Sequence, residues 1–247
     1  MGRFDNKVAF ITGGNSGIGK ASALMIAKDG ANIMLADLKE DRGVLKELEE
    51  LGVTASFVKC DVSKPEDVEH AINETIKKFG SLDIALNNAG VGDQGMIHEK
   101  SIEQWHKVIE INLSGVFYCM KYEIEHMLKQ KDGGKIINIS SILGQVGEAG
   151  AAAYVAAKHG VVGLTQTAAI EYGAKNIRVN TIGPGYISTP LLKDIDKEKL
   201  HEIEERHAMK RLGHSEEVAK AFIWLASDDS SFLTGDYIPV DGGYLAQ

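Results

Sequence analysis

The chain has 247 residues, 27 of them glycine, with 44% apolar and 25% charged residues. This is a globular composition that excludes a disordered, collagen-like or disulfide-knotted chain. Basic residues number 27 and acidic residues 35, for a formal charge of −8, which disfavours a nucleic-acid partner.

The first expected strand, 7–12, contains Val8-Ala9-Phe10-Ile11. It is apolar on both faces, as suits a parallel strand covered by helices on each side. A helix is expected at 18–28, a strand at 31–36, a helix at 40–51 and a strand at 54–59. The helix expected at 65–79 has Ser63 as N-cap and Pro65 in its first turn. Then come a strand at 82–87, one long helix at 102–129, a strand at 135–140, a helix at 154–172, a strand at 177–182, a helix at 215–227 and a strand at 237–240. The alternation predicts a single doubly wound α/β domain over 1–247. Segment 188–213 breaks the rhythm. Its Leu191, Leu192, Ile195, Leu200 and Ile203 are spaced like one helical face, and it is read as a substrate lid. No stretch approaches the ~18 apolar residues of a membrane span, and the first residues carry no apolar leader core. Cys60 and Cys119 form no C-x-x-C pair. A cytoplasmic protein with two reduced, buried thiols and no membrane partner is expected.

After the first strand comes Thr12-Gly13-Gly14-Asn15-Ser16-Gly17-Ile18-Gly19, opening a helix. Gly13 permits a tight turn, Gly17 lets backbone approach a pyrophosphate, and Gly19 lets helix and strand pack closely. The helix N-terminus offers N–H groups and a positive dipole end to phosphates. Asp37 ends the second strand, where its carboxylate can accept from the ribose hydroxyls of adenosine. The alternative role for Asp37 is a cap for the helix near Glu40. Lys39 is the nearby cation that weakens any bias against a ribose phosphate.

This turn resembles the glycine motif of the short-chain dehydrogenase/reductase family. The family's other motifs follow in order over almost the whole chain: Asp61-Val62, Asn87-Asn88-Ala89-Gly90, Asn112, Ser141, Tyr154-x-x-x-Lys158 and Pro184-Gly185. The resemblance implies a seven-stranded parallel sheet with helices on both faces (a Rossmann fold) and a nicotinamide cofactor, here NAD. It implies cofactor contacts from Gly13, Asn15, Ser16, Gly17, Ile18, Gly19, Asp37, Leu38, Asp61, Val62, Asn88, Ala89, Gly90, Tyr154, Lys158, Pro184 and Gly185. It also implies that Ile187 backbone and the Thr189 hydroxyl hold the nicotinamide carboxamide.

Tyr154 and Lys158 are four apart, so a helix puts them on one face. Free tyrosine, with pKa ≈ 10, is a poor base; lysine and nicotinium cations would favour phenolate. By resemblance, Tyr154 is the acid/base, Ser141 orients the substrate oxygen and Lys158 holds the ribose. Asn112 would bend its helix and hold a water leading to the lysine. Ser140 should face away from Ser141 on extended chain. His201, Glu202 and His207 lack H-E-x-x-H spacing and read as a charged helix face, so no metal is expected.

These residues point to hydride transfer between NAD and a secondary alcohol or ketone. A 3-oxoacyl-thioester reductase is the alternative enzyme, disfavoured by Asp37 and the negative charge. A dinucleotide-binding redox sensor is the non-enzymatic alternative, disfavoured because Tyr and Lys are both present. An apolar substrate pocket from Leu143, Val146, Tyr186, Leu191 and Leu192 is one reading of those side chains; core packing is the other. By resemblance a homotetramer is expected, pairing the helices at 102–129 and 154–172 through Ala152, Ala153, Val161, Val162, Leu164 and Ala168.

Overall fold

Seven parallel strands run in the order 3-2-1-4-5-6-7: β1 Val8–Thr12, β2 Asn32–Asp37, β3 Ala55–Lys59, β4 Ile84–Asn87, β5 Gly134–Ile139, β6 Ile177–Pro184 and β7 Tyr237–Val240. The structure, a computed structural model, describes residues 2–192 and 196–247. Strand order reverses between β1 and β4, so the chain leaves these neighbours in opposite directions and opens a crevice at their carboxyl ends.

The period of two sorts strand residues between two cores. Ala9, Ile11, Ile33, Leu35, Ile84, Leu86, Ile137 and Ile139 face one side. There they meet α1 (Gly17–Lys28), α2 (Arg42–Glu49) and α8 (Ser215–Ala226) through Ala23, Ile26, Leu48, Val218 and Phe222. Phe10, Met34, Ala36, Ala85, Ile136 and Val179 face the other side. They meet α3 (Pro65–Phe79), α5 (Gly115–Met127) and α6 (Ala152–Tyr172) through Ile72, Met120 and Val161. Cys60 and Cys119 are both buried thiols in this second core.

Four expectations need correction. The helix at 102–129 is α4 (Ile102–Ile109), a π-helical turn over Glu110–Ser114, then α5. Lys64, not Ser63, is the N-cap of α3, because Asp61 Oδ1 takes both the N–H and the hydroxyl of Ser63. Segment 188–213 is not one helix: a short 3-10 turn, Pro190–Leu192, is separate from α7 (Lys197–Glu205). Of its expected apolar face, Ile203 is buried and Leu200 half-buried; the side chain of Leu191 and the whole of Ile195 lie outside the described residues. Ala153, Val161 and Ala168, assigned to a subunit contact, are buried within the chain itself. Among the described residues, no helix is long and apolar enough to cross a membrane.

The second core holds a buried polar row. Asn87 sits opposite Asn138, and Asn138 opposite Thr181, on three adjacent strands. Asn87 Nδ2 donates to Asn138 Oδ1 at 2.9 Å and to Glu123 Oε2 of α5 at 3.1 Å. Asn138 Nδ2 and the Thr181 hydroxyl both donate to Thr165 Oγ1 of α6. Asn87 Oδ1 and Glu123 Oε1 have no partner among the described residues; a protonated carboxyl supplies the donor they lack. Burial pushes Glu123 up from 4.5 to about 8, against the lowering effect of Asn87. Between those values the folded chain holds a proton that the unfolded chain releases. Glu123 therefore makes stability fall as pH rises from about 4.5 to 8, by roughly 5 kcal/mol at most. Glu123→Gln supplies the donor permanently. Denaturant unfolding across this range should show a shallower decline with pH for the variant; an unchanged slope would show that Glu123 is ionised in the fold.

Candidate active site

The glycine turn joins β1 to α1 at the crevice. Gly13 and Gly17 adopt φ +63° and +51°, a region that L side chains rarely enter. A Cβ on Gly19 would collide with the Gly13 carbonyl. Ser16 occupies the N-cap of α1 with no side-chain cap bond, and the first turn has no acidic residue. The positive helix end, with the Ile18 backbone in its first turn, is thus presented to an anion. Thr12, which sequence reasoning missed, holds this turn against β4: its Oγ1 accepts from the N–H groups of Asn88 and Ala89. Asn88 Nδ2 donates back to the carbonyls of Thr12 and Gly13.

Asp37 lies at the end of β2, beside this turn. Its Oδ2 accepts from Asn15 N at 3.3 Å and its Oδ1 from Leu38 N at 2.7 Å. Its alternative role as helix cap falls to Asp41, which caps α2. Leu38 projects beside it with 57% of its surface exposed. Asp61 forms the turn before α3, and Val62 packs in the second core. On the far side of the crevice, Thr189 overlies the glycine turn: a Cβ on Gly17 would meet Thr189 Cγ2 at 3.2 Å. Ile187 bridges Gly213, but the hydrogen bonds run through Tyr186 O and Ser188 N. The backbone groups of Ile187 itself therefore face away from Gly213. Pro184 ends β6, and Gly185 packs under Asp241 and His207.

Tyr154 and Lys158 share a face of α6, and Lys158 Nζ stands 5.3 Å from the Tyr154 ring centre. Lys158 and β5 grip each other: Nζ donates to Ile139 O at 2.8 Å, while the Ser140 hydroxyl donates to Lys158 O at 2.9 Å. Ser140 thus faces away from the site, as expected. Ser141 Oγ accepts from Leu143 N at 3.1 Å, which orients the hydroxyl and leaves its hydrogen available. Burial pushes the Tyr154 phenol up to about 12, with the neighbouring Ser141 hydroxyl pulling the other way. The protein alone therefore does not produce the lowered phenol expected from the lysine, because burial also brings Lys158 down to about 8.

Asn112 is buried in the π-helical turn, where Gly115 N bonds to Glu110 O. Its Nδ2 donates to Val108 O and to Val91 O, and its Oδ1 accepts from Val91 N. Gly90 is needed beside it, since a Cβ there would lie 2.7 Å from Asn112 Oδ1. The side chain thus anchors the loop after β4.

A wall of aromatic and apolar side chains stands beside the phenol: Leu143, Val155, Tyr186, Tyr244 and Leu245. Val146 is exposed. His207 is buried beneath Tyr186 and Tyr244 rather than on a charged helix face. Its Nδ1 faces Ile203 O, and its Nε2 accepts from Tyr186 N. Arg206 bonds to both Glu148 and the Tyr244 hydroxyl, joining three segments that are far apart in sequence.

The family described as enoyl-(acyl carrier protein) reductase matches residues 13–245. Cyclohexanol dehydrogenase of Acinetobacter sp. (strain SE19) is 44% identical, over 99% of this chain and 97% of that one. Cis-4-hydroxycyclohexanecarboxylate dehydrogenase of Sinomonas cyclohexanicum is 41% identical, over 98% of each. Carveol dehydrogenase from Mycobacterium avium, solved in complex with NAD, has a TM-score of 0.95 at 30% identity and 100% coverage of both chains. The chain belongs to the short-chain dehydrogenase/reductase family. It is an oxidoreductase of the secondary alcohol and ketone type.

In this short-chain dehydrogenase/reductase, Tyr237 is a further support that its sequence did not reveal. Its hydroxyl donates to Ser141 O at 2.9 Å, and Gly183 is required because a Cβ there would collide with that hydroxyl. Tyr237→Phe should cost about 1–2 kcal/mol in urea unfolding; unchanged stability would show that Ser141 is held without it.

Proposed function

We propose that the protein is an NAD-dependent dehydrogenase of compact alicyclic secondary alcohols, working as a homotetramer. The observation that carries the chemistry is the meeting of Tyr154, Ser141 and Lys158 at the carboxyl ends of β4 to β6, beside the glycine turn. The residues fit the cofactor. The first turn of α1 suits a pyrophosphate, Asp37 suits ribose hydroxyls, and Asn15 Oδ1 is a buried acceptor with no partner among the described residues. The Ile187 backbone and Thr189 would hold the carboxamide. The substrate class is supported by the Leu143, Tyr186 and Tyr244 wall and by the cyclohexanol relative.

When bound, NAD supplies the hydride acceptor and, in its oxidised form, a positive charge. Ser141 donates its hydroxyl hydrogen to the substrate oxygen. Tyr154 Oη takes the alcohol proton during oxidation and returns it during reduction. Lys158 holds ribose hydroxyls and adds positive charge that favours phenolate. Because the buried phenol starts high, oxidation should accelerate as pH rises and reduction should slow.

NADH formation across cyclohexanols, hydroxysteroids, sugars and hydroxyacids tests the substrate class; turnover confined to the last two overturns it. Tyr154→Phe should cut kcat by at least ~10²–10⁴-fold while NADH still binds, and near-normal activity would refute the acid/base role. Asp37 faces a ribose phosphate of charge near −2 in NADP. Tempered by Lys39 and salt, this repulsion should favour NAD by roughly 1–3 kcal/mol. Asp37→Ala should relax the preference, read as kcat/KM for both cofactors at one ionic strength; equal use of NADP by the unaltered enzyme would show that Lys39 prevails. Sedimentation as a monomer at micromolar protein would exclude the tetramer.

A further inference from the structure

The loop between β4 and α4 carries a charged pair that the proposed chemistry does not use. Asp93 and Lys100 form an ion pair whose side chains are 2% and 4% exposed. Lys100 Nζ bonds to Asp93 Oδ1 and donates to Gln94 O at 2.8 Å. The other carboxylate oxygen reaches α6. There Oδ2 accepts from the backbone N–H of Ala153 at 2.9 Å and of Tyr154 at 3.3 Å.

Helix α6 has no cap of its own: Ala151 occupies the N-cap position without a side-chain bond, and the first turn lacks an acidic residue. A Ser or Asp at position 151 would cap the helix locally. The pair used instead requires desolvating two charges, which is tolerated only where every partner is satisfied. The remote carboxylate does what a local cap cannot: it ties the start of α6 to a loop that is itself anchored. Asn112 exchanges hydrogen bonds with both backbone groups of Val91, two residues before Asp93. The loop also packs on the approach to α6, since a Cβ on Gly150 would lie 3.7 Å from Gly95 N. A continuous set of bonds thus runs from Asn112 through Val91 and Asp93 to the backbone of Tyr154.

We propose that Asp93 is a positioning residue for the reaction: held by Lys100, its carboxylate fixes the Tyr154 backbone so that the phenol meets Ser141 and the substrate oxygen. This rests on the reading of Tyr154 as the acid/base. A displacement of about 1 Å at a reacting group costs up to ~10²-fold, so the tether should act on turnover more than on cofactor binding.

Two double variants separate the cap from the charges. Asp93→Asn with Lys100→Met removes both charges and keeps a side-chain oxygen for the two N–H groups. Asp93→Ala with Lys100→Met removes the acceptor too. Thermal melting measures the loss of the ion pair, which the two variants share. In the Ala variant kcat should fall about ten- to a hundredfold, while NADH affinity, read by fluorescence titration, stays at the wild-type value. The Asn variant should recover most of kcat. Equal kcat in the two variants, or NADH affinity falling in step with kcat, would overturn the proposal. Tyr154→Phe is assayed alongside. If it remains active, the reading of the site is wrong; if it is inactive while both Asp93 variants turn over like wild type, only the role of Asp93 is wrong.

Discussion

The row formed by Asn87, Asn138 and Thr181 fixes the register of three central strands. Its face is otherwise apolar, and its polar groups bond to Glu123 and Thr165 on the covering helices. Sliding β5 by one residue would turn the Asn138 amide into the opposite core, beside Leu86 and Ile182, and drive Ile137 and Ile139 out of it. Register then decides where each strand ends. Asn88 to Gly90 follow Asn87 directly, Ser140 and Ser141 follow β5, and Gly185 follows β6. The groups that face the crevice therefore take their positions from a buried polar layer beneath them.

Most of this framework was legible in the sequence, for local reasons. Val8 to Ile11 could only be a strand buried on both sides, and the glycines at 13 and 19 answer steric demands that the structure shows, a positive φ and a Cβ that would strike the Gly13 carbonyl. Helical spacing put Tyr154 and Lys158 on one face, and the family motif they complete with Ser141 singled them out. What stayed hidden depends on contacts between distant residues. The apolar periodicity of 102–129 runs through the π-helical turn, because the break is bound up with Val91, some twenty residues earlier. Ser63 looked like a cap until the Asp61 carboxylate claimed its hydroxyl. The high phenol of Tyr154 comes from burial, which spacing does not report. Nothing local marks Asp93, since its partners are a helix start sixty residues on and a lysine that follows a turn.

The aromatic wall is assembled differently from the glycine turn. Backbone turns and glycines shape the latter. Side chains from three separate segments shape the former, with Arg206 joining Glu148 to Tyr244 above the buried His207. The bridge between Ile187 and Gly213 pins the base of the 188–213 segment, and the contacts of Arg206 pin its far part to the loop after Ser141.

The Tyr237 bond to Ser141 has a consequence for how the enzyme is made. β7 follows the other six strands in the chain and lies at an edge of the sheet, where among the described residues it pairs with β6 alone. Ser141 leaves the ribosome almost a hundred residues before the hydroxyl that holds its carbonyl. Contacts so distant in sequence form late in folding, and synthesis proceeds from the N-terminus. Until then, among the described residues, the Ser141 carbonyl has only its local partner, the backbone N–H of Gly144. The long-range hold on Ser141 is thus completed by β7, after the six strands that precede it in the chain.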